Sequence, residues 1–182
     1  MKNIFLVIDM QNDFLSGVLG NEACQKVIPD ILEMLHTKVR KEDIVIFTKD
    51  THEKDTYPST LEGQNIPAHC IKETPGHDYD KDIKEAMEEL KKTNIVVEIE
   101  KPTFGSMELG RYLSTKKEIG TIYVSGVCTS ICVHANAVIA RSALPNSNVV
   151  IFKNTVGDGN MSAAASALES LKSLQIQIEE HF

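Results

Sequence analysis

The feature that most constrains this chain is an alternation. Short runs rich in Ile and Val give way repeatedly to segments whose apolar residues recur at helical spacing. "NIFLVID", "DIVIFTKD", "NIVVEIE", "GTIYVSGV", "SNVVIFKN" and "IQIEE" read as strands, several of them near-continuous apolar runs of the kind a parallel sheet covered on both faces requires. Between them "ACQKVIPDILEMLHTKVR", "KDIKEAMEELKK", "GSMELGRYLSTKK", "SICVHANAVIARSAL" and "NMSAAASALESLKSL" read as helices, with Pro29 near a first turn or at a kink. Repeated βα units predict an α/β fold, doubly wound in three αβα layers, around a mostly parallel sheet of about six strands. The 182 residues, 42% of them apolar, suit one domain over 1–182 with a sizeable core.

Composition removes whole classes of function. A formal net charge of −7, with Lys and Arg scattered among acids, disfavours a nucleic-acid partner. No apolar run approaches the roughly 18 residues of a membrane span. "MKNIFLVIDMQNDF" is acidic at Asp9 and lacks a small-residue cleavage site, so it reads as a first strand rather than a signal peptide. A cytoplasmic protein is the expectation, and its four cysteines (Cys24, Cys70, Cys128, Cys132) are expected to be reduced.

In a doubly wound sheet, ligands sit beyond the carboxyl ends of the strands. Those ends deliver Asp9, then Asp50 with His52, then Lys101, then Cys128 and Cys132; the fifth strand ends in "KNTVGDG", which offers turn chemistry. A thiol in the first turn of a helix meets unpaired N–H groups and the positive dipole end, which lower its pKa. Asp9 would accept its proton, and Lys101 would hold Asp9 ionised or stabilise developing charge. Taken alone, Cys132 also fits a small buried apolar residue, and Asp9 a turn cap. A zinc clip through Cys128 and Cys132 lacks a second Cys/His pair. From Thr51 to Tyr79 no period is visible, and such long loops are usually functional or disordered. This loop carries Asp50 and His52 at its start, then Glu62 and His69; two imidazoles with carboxylates suit Zn²⁺, Mn²⁺ or Fe²⁺, although surface loops often hold such residues without an ion. His36 and His77 read as surface residues, and His134 as facing away from the nucleophile.

Three spaced motifs carry a resemblance. "IDMQNDF", "EKPTFGSM" and "GVCTSICV" follow one another as in the isochorismatase-like cysteine hydrolases, and within them the nicotinamidase (pyrazinamidase) group. The resemblance implies Asp9, Lys101 and Cys132 as the catalytic set. It implies a cis peptide at Val127–Cys128 and an oxyanion hole made by the N–H groups of Cys128 and Cys132. "DTH" and "PAHC" match the metal motifs, so Asp50, His52 and His69 carry over as ligands of one divalent ion, most simply Zn²⁺. The further His that many members supply is absent, and Glu62 is the expected replacement. Phe14 matches an aromatic wall of the substrate pocket. Ile66 stands where many members have Trp, and the chain contains no Trp.

The implied reaction is deamidation of nicotinamide, and of pyrazinamide, through a thioester, which would place the protein in NAD salvage. The partner is then a small-molecule amide. Members are often homo-oligomers, which makes one an expectation here. The alternatives are a hydrolase of ureido or carbamoyl amides, or a non-catalytic metal- or partner-binding member of the fold.

Overall fold

The computed structural model describes residues 1–182. Six strands, β1 (Lys2–Ile8), β2 (Ile44–Asp50), β3 (Ile95–Lys101), β4 (Ile119–Val127), β5 (Asn148–Gly157) and β6 (Gln177–Glu179), form one sheet in the order β3-β2-β1-β4-β5-β6. Every pairing is parallel. Order reverses at β1, whose neighbours are β2 and β4, so the crevice of a doubly wound sheet opens at their carboxyl ends.

Side chains alternate across each strand, and both faces are covered. Ile4, Leu6, Ile8, Ile44, Ile46, Ile122 and Val124 face α5 (Met107–Ser114), α6 (His134–Ala143) and α7 (Met161–Ser173), packing with Leu109, Leu113, Ala137 and Leu171. Phe5, Val7, Val45 and Phe47 face the opposite layer of α2 (Glu22–Lys26), α3 (Ile28–Lys38) and α4 (Lys81–Leu90), meeting Ile31, Met34, Ile83 and Met87. Double coverage explains why these strands read as continuous apolar runs. β3, at the sheet edge, alternates instead.

Helix starts carry their own signals. Side chains of Asn21, Asp80, Ser106 and Asn160 accept from backbone N–H groups of the first turns of α2, α4, α5 and α7. The single helix expected over Ala23–Arg40 is two, because Pro29 falls in the first turn of α3 and the chain turns at Val27.

Just after β1, a four-residue helix α1 (Asn12–Leu15) anchors the long loop. Gln11 Nε2 donates to the carbonyls of Asp50 and His77, and Asp50 N–H returns a bond to Gln11 Oε1. Asn12 N–H donates to Asp78 C=O, and Asn12 Nδ2 to Pro75 C=O. Asp13 Oδ2 accepts from Cys70 N–H at 2.7 Å. The polar letters of "DMQNDF" after Asp9 thus fasten residues 70–79 against the sheet.

One glycine is dictated by close approach. Gly126 sits at φ +114° where β4 shifts register, and a Cβ there would lie 2.1 Å from Ile8 carbonyl oxygen. Gly126→Ala is expected to cost about 3 kcal/mol through overpacking and left-handed strain, read as a lower urea midpoint with unchanged slope.

Candidate active site

At the end of β1, Asp9 adopts φ 50°, a left-handed turn that Asp tolerates, and the chain leaves the sheet there. Its carboxylate is wholly buried. Oδ1 accepts from Thr48 Oγ1 at 2.6 Å, and the Thr48 hydroxyl accepts from Asp9 N–H. Lys101, last residue of β3, reaches under β2 to place Nζ 2.7 Å from Asp9 Oδ2, 3.0 Å from Asp50 Oδ1 and 3.0 Å from Thr103 C=O. Cys132 Sγ is 3.7 Å from the same ammonium. β1, β2, β3 and the turn after β4 therefore each contribute one group to a single buried cluster.

Charges within it are strongly interdependent. Burial favours neutral Lys101, but Asp9, Cys132 and Asp50 outweigh it and push its pKa above the ordinary lysine value. Burial raises Asp9, and with the nearby Asp50 charge it prevails over the lowering by Lys101. Burial also raises Asp50, yet hydrogen bonds from His52 and His69 and the Lys101 charge hold it well below the usual carboxylate range. The Cys132 thiol departs from expectation: burial first, then the Asp9 charge, push its pKa well above that of a free thiol. Desolvation and a neighbouring carboxylate overcome any helix-terminus effect. Both influences favour the neutral thiol at Cys132.

The turn holding Cys132 is not the start of a regular α-helix. Thr129–Val133 form a π-helical turn, with Val133 N–H donating to Cys128 C=O, and α6 begins at His134. The Val127–Cys128 peptide before it is cis. Two residues the sequence reading passed over fix this turn. Asn136, one helical turn after Cys132, donates to the carbonyls of Cys132 and Phe104 while accepting from Ser106 N–H. Asp158, in the "VGDG" read as turn chemistry, accepts from Ser130 N–H and Oγ at 2.8 and 2.6 Å. β5 runs further than expected, to Gly157, and brings Asp158 to the cleft.

Asp50, His52, Glu62 and His69 come together beside this cluster. Their ligand-capable atoms all lie within 4.8 Å of one another. Nε2 of His52 lies 3.0 Å from Asp50 Oδ2 and 3.6 Å from Glu62 Oε1; Nε2 of His69 lies 3.2 and 3.5 Å from the same atoms. Pro67 C=O lies 2.8 Å from His69 Nδ1, which orients Nε2 inward. Tyr57 packs on both rings and donates to Ile66 C=O. Glu62 Oε2 is buried without a partner. Burial lowers the His69 pKa, but Asp50, Pro67 and Glu62 raise it more. An orphaned carboxylate oxygen and an imidazole that favours protonation both show a site short of positive charge. The donor set of two imidazoles and two carboxylates fits a divalent ion.

Cys132, Asp50, Glu62 and His69 all line one cavity of about 260 Å³, with Phe14, Ile66, Phe104 and Ile131 as its apolar walls. Phe14 meets His69 edge-on, the ring centroids 5.5 Å apart. His36 is exposed, as read. His77 is not a surface residue: it is buried, 2.8 Å from Thr51 Oγ1, because the loop folds back onto Gln11. His134 is half-buried and outside the cavity lining.

A buried thiol, carboxylate and ammonium at the crevice of a doubly wound sheet, beside a group fit for a divalent ion, are the equipment of a hydrolytic enzyme. The chain belongs to the isochorismatase family: the model described as "Isochorismatase domain" matches residues 3–180. Among its relatives, the nicotinamidase of Schizosaccharomyces pombe is 25% identical, covering 95% of this chain and 90% of the relative. The crystal structure of nicotinamidase/pyrazinamidase PncA from Bacillus subtilis is 27% identical, superposes with a TM-score of 0.83, and covers 99% of this chain and 100% of that one. A pyrazinamidase of Pyrococcus horikoshii, solved in complex with zinc, is 25% identical with a TM-score of 0.76 and 98% of each chain covered. The protein is an amidohydrolase.

Removing the central ammonium provides a test. Lys101→Met leaves Asp9 and Asp50 buried without their shared counter-ion and is expected to cost about 3–5 kcal/mol at neutral pH. Lys101 lowers both carboxyl pKa values, so its loss raises them. A raised carboxyl contributes stability below its unfolded value of about 3.9 and loses it as pH rises through the folded value. The deficit against wild type in urea unfolding should therefore shrink as pH falls from neutrality towards about 4.

Proposed function

We propose that the protein hydrolyses nicotinamide, and its close relative pyrazinamide, to the acid and ammonia. The observation carrying this reading is the shared cavity. A thiol with its proton acceptor stands at one side and a divalent-ion site at the other, within a space suited to one flat heteroaromatic amide. A Zn²⁺, Mn²⁺ or Fe²⁺ ion bound by Asp50, His52, Glu62 and His69 would supply a Lewis acid that anchors the ring nitrogen of the substrate. Phe14, Ile66 and Phe104 would clasp the ring and exclude water. Ile66 is smaller than an indole, which favours tolerance of ring variants.

Asp9 takes the Cys132 proton as sulfur attacks the amide carbon, so the thiolate forms only with substrate in place. The backbone N–H groups of Cys128 and Cys132 stabilise the oxyanion, each worth about 3 kcal/mol. Asp9 then passes the proton to the departing ammonia and afterwards activates water against the thioester. Lys101 holds Asp9 oriented throughout. The acid product would re-enter NAD synthesis in the cytoplasm. No helix is long and apolar enough to cross a membrane.

Ammonia release from nicotinamide by metal-replete protein is expected to fall at least about 10⁴-fold in Cys132→Ala, with metal content near wild type. Retained activity in that variant would sink the nucleophile. Folded, metal-loaded wild type that releases no ammonia from nicotinamide would reject the substrate and move the search to ureido and carbamoyl amides.

A further inference from the structure

The side chains of Cys24 and Cys128 take no part in the reaction just described, yet they lie against the site. Cys24 is wholly buried in α2. Its N-cap Asn21 accepts from Cys24 N–H and places Nδ2 3.2 Å from the sulfur. Cys128 is half-buried and lines the substrate cavity together with Asn21. Packing explains how they meet. Gly157 of β5 pairs with Val127, and a Cβ on Gly157 would lie 2.8 Å from Cys24 Cα, so the bare glycine lets α2 approach the end of β4. The result is two thiols, far apart in sequence, packed in one apolar cluster where α2 meets the end of β4.

We propose that Cys24 and Cys128 form an oxidation site for peroxide, which joins them in a disulfide that reversibly switches off the neighbouring Cys132 centre. The first thiolate attacks the O–O bond; an S–O bond forms, O–O breaks, and the departing hydroxide leaves as water with the thiol proton. The second sulfur then displaces the sulfenic oxygen; S–S forms, S–O breaks, and that oxygen departs as a second water with the remaining proton. Two thiols are oxidised by two electrons, and one peroxide is reduced to two waters.

Chemistry at the pair favours this over oxidation of the nucleophile. Hydrogen bonds from Cys128, and secondarily from Asn21, hold the Cys24 thiol below its ordinary value against the effect of burial. Cys132 and Cys70 are both pushed up, chiefly by burial, and Cys128 is pushed up by Cys24 and then by burial, so Cys24 is the thiol of the pair that is lowered. The cavity that admits substrate also brings peroxide to the wall formed by Cys128 and Asn21, behind which the Cys24 sulfur lies. Drawing the Cys128 sulfur onto α2 displaces its peptide, and with it one oxyanion donor.

The test treats metal-replete wild type, Cys24→Ser and Cys24→Ala with hydrogen peroxide, blocks free thiols with iodoacetamide and maps peptides without reduction. Wild type should yield a Cys24–Cys128 cross-linked peptide and lose about 10²-fold in turnover, the scale of one oxyanion donor, with dithiothreitol restoring both. The Cys24 variants should match reduced wild type and resist peroxide. Alkylated Cys24 and Cys128 in inactivated wild type, or a disulfide through Cys132, would overturn the proposal. So would Cys24 variants that peroxide inactivates and dithiothreitol rescues as in wild type. The peptide map decides even if neither variant folds, and it does not depend on nicotinamide being the substrate.

Discussion

One buried ammonium organises this molecule. Lys101 has no access to water, and an unpaired charge in such a place would be prohibitively costly. Asp9, Asp50 and a backbone carbonyl surround it instead. Those partners come from the ends of β1 and β2 and from the loop after β3, so the ion cluster requires three strands to end in register. The same contact that makes the charge tolerable aligns the site.

Asp50 transmits that order outward. One carboxylate oxygen faces Lys101, while the other faces both imidazoles of the candidate metal group. Proton chemistry and ion binding are therefore joined through one side chain, itself held by Gln11 through both its backbone N–H and its carbonyl. Because Gln11, Asn12 and Asp13 also pin residues 70–79, the long loop is placed by the strand that supplies Asp9.

Much of this was legible in the chain. Coverage on both sheet faces forces continuous apolar strands, and parallel strands force helices between them, so the αβα layering followed from pattern alone. Strand ends could be read because Asp9, Asp50, Lys101 and Cys132 each close an apolar run or follow it closely. What escaped depends on tertiary contact. Nothing local marks His77 as buried, since a loop docking on Gln11 buries it. The "VGDG" segment looks like a turn until β4 and β5 are side by side and Asp158 meets Ser130. The thiol of Cys132 read as activated because a helix start lowers a pKa; burial beside a carboxylate reverses that sign. Cys24 gave no signal at all, as only the packing of α2 beside the end of β4 brings Cys128 near it.

That reversal is the centre of the account: burial and the Asp9 charge push the Cys132 thiol up against the pull of Lys101, and in the proposed reaction Asp9 takes its proton only as sulfur attacks. The direct measurement is the ultraviolet absorbance of thiolate, taken as wild type minus Cys132→Ala across pH. The account predicts no Cys132 thiolate through neutrality, with signal rising only well above the ordinary thiol range. A thiolate already present at neutral pH would mean an ion pair between Cys132 and Lys101, and would contradict it.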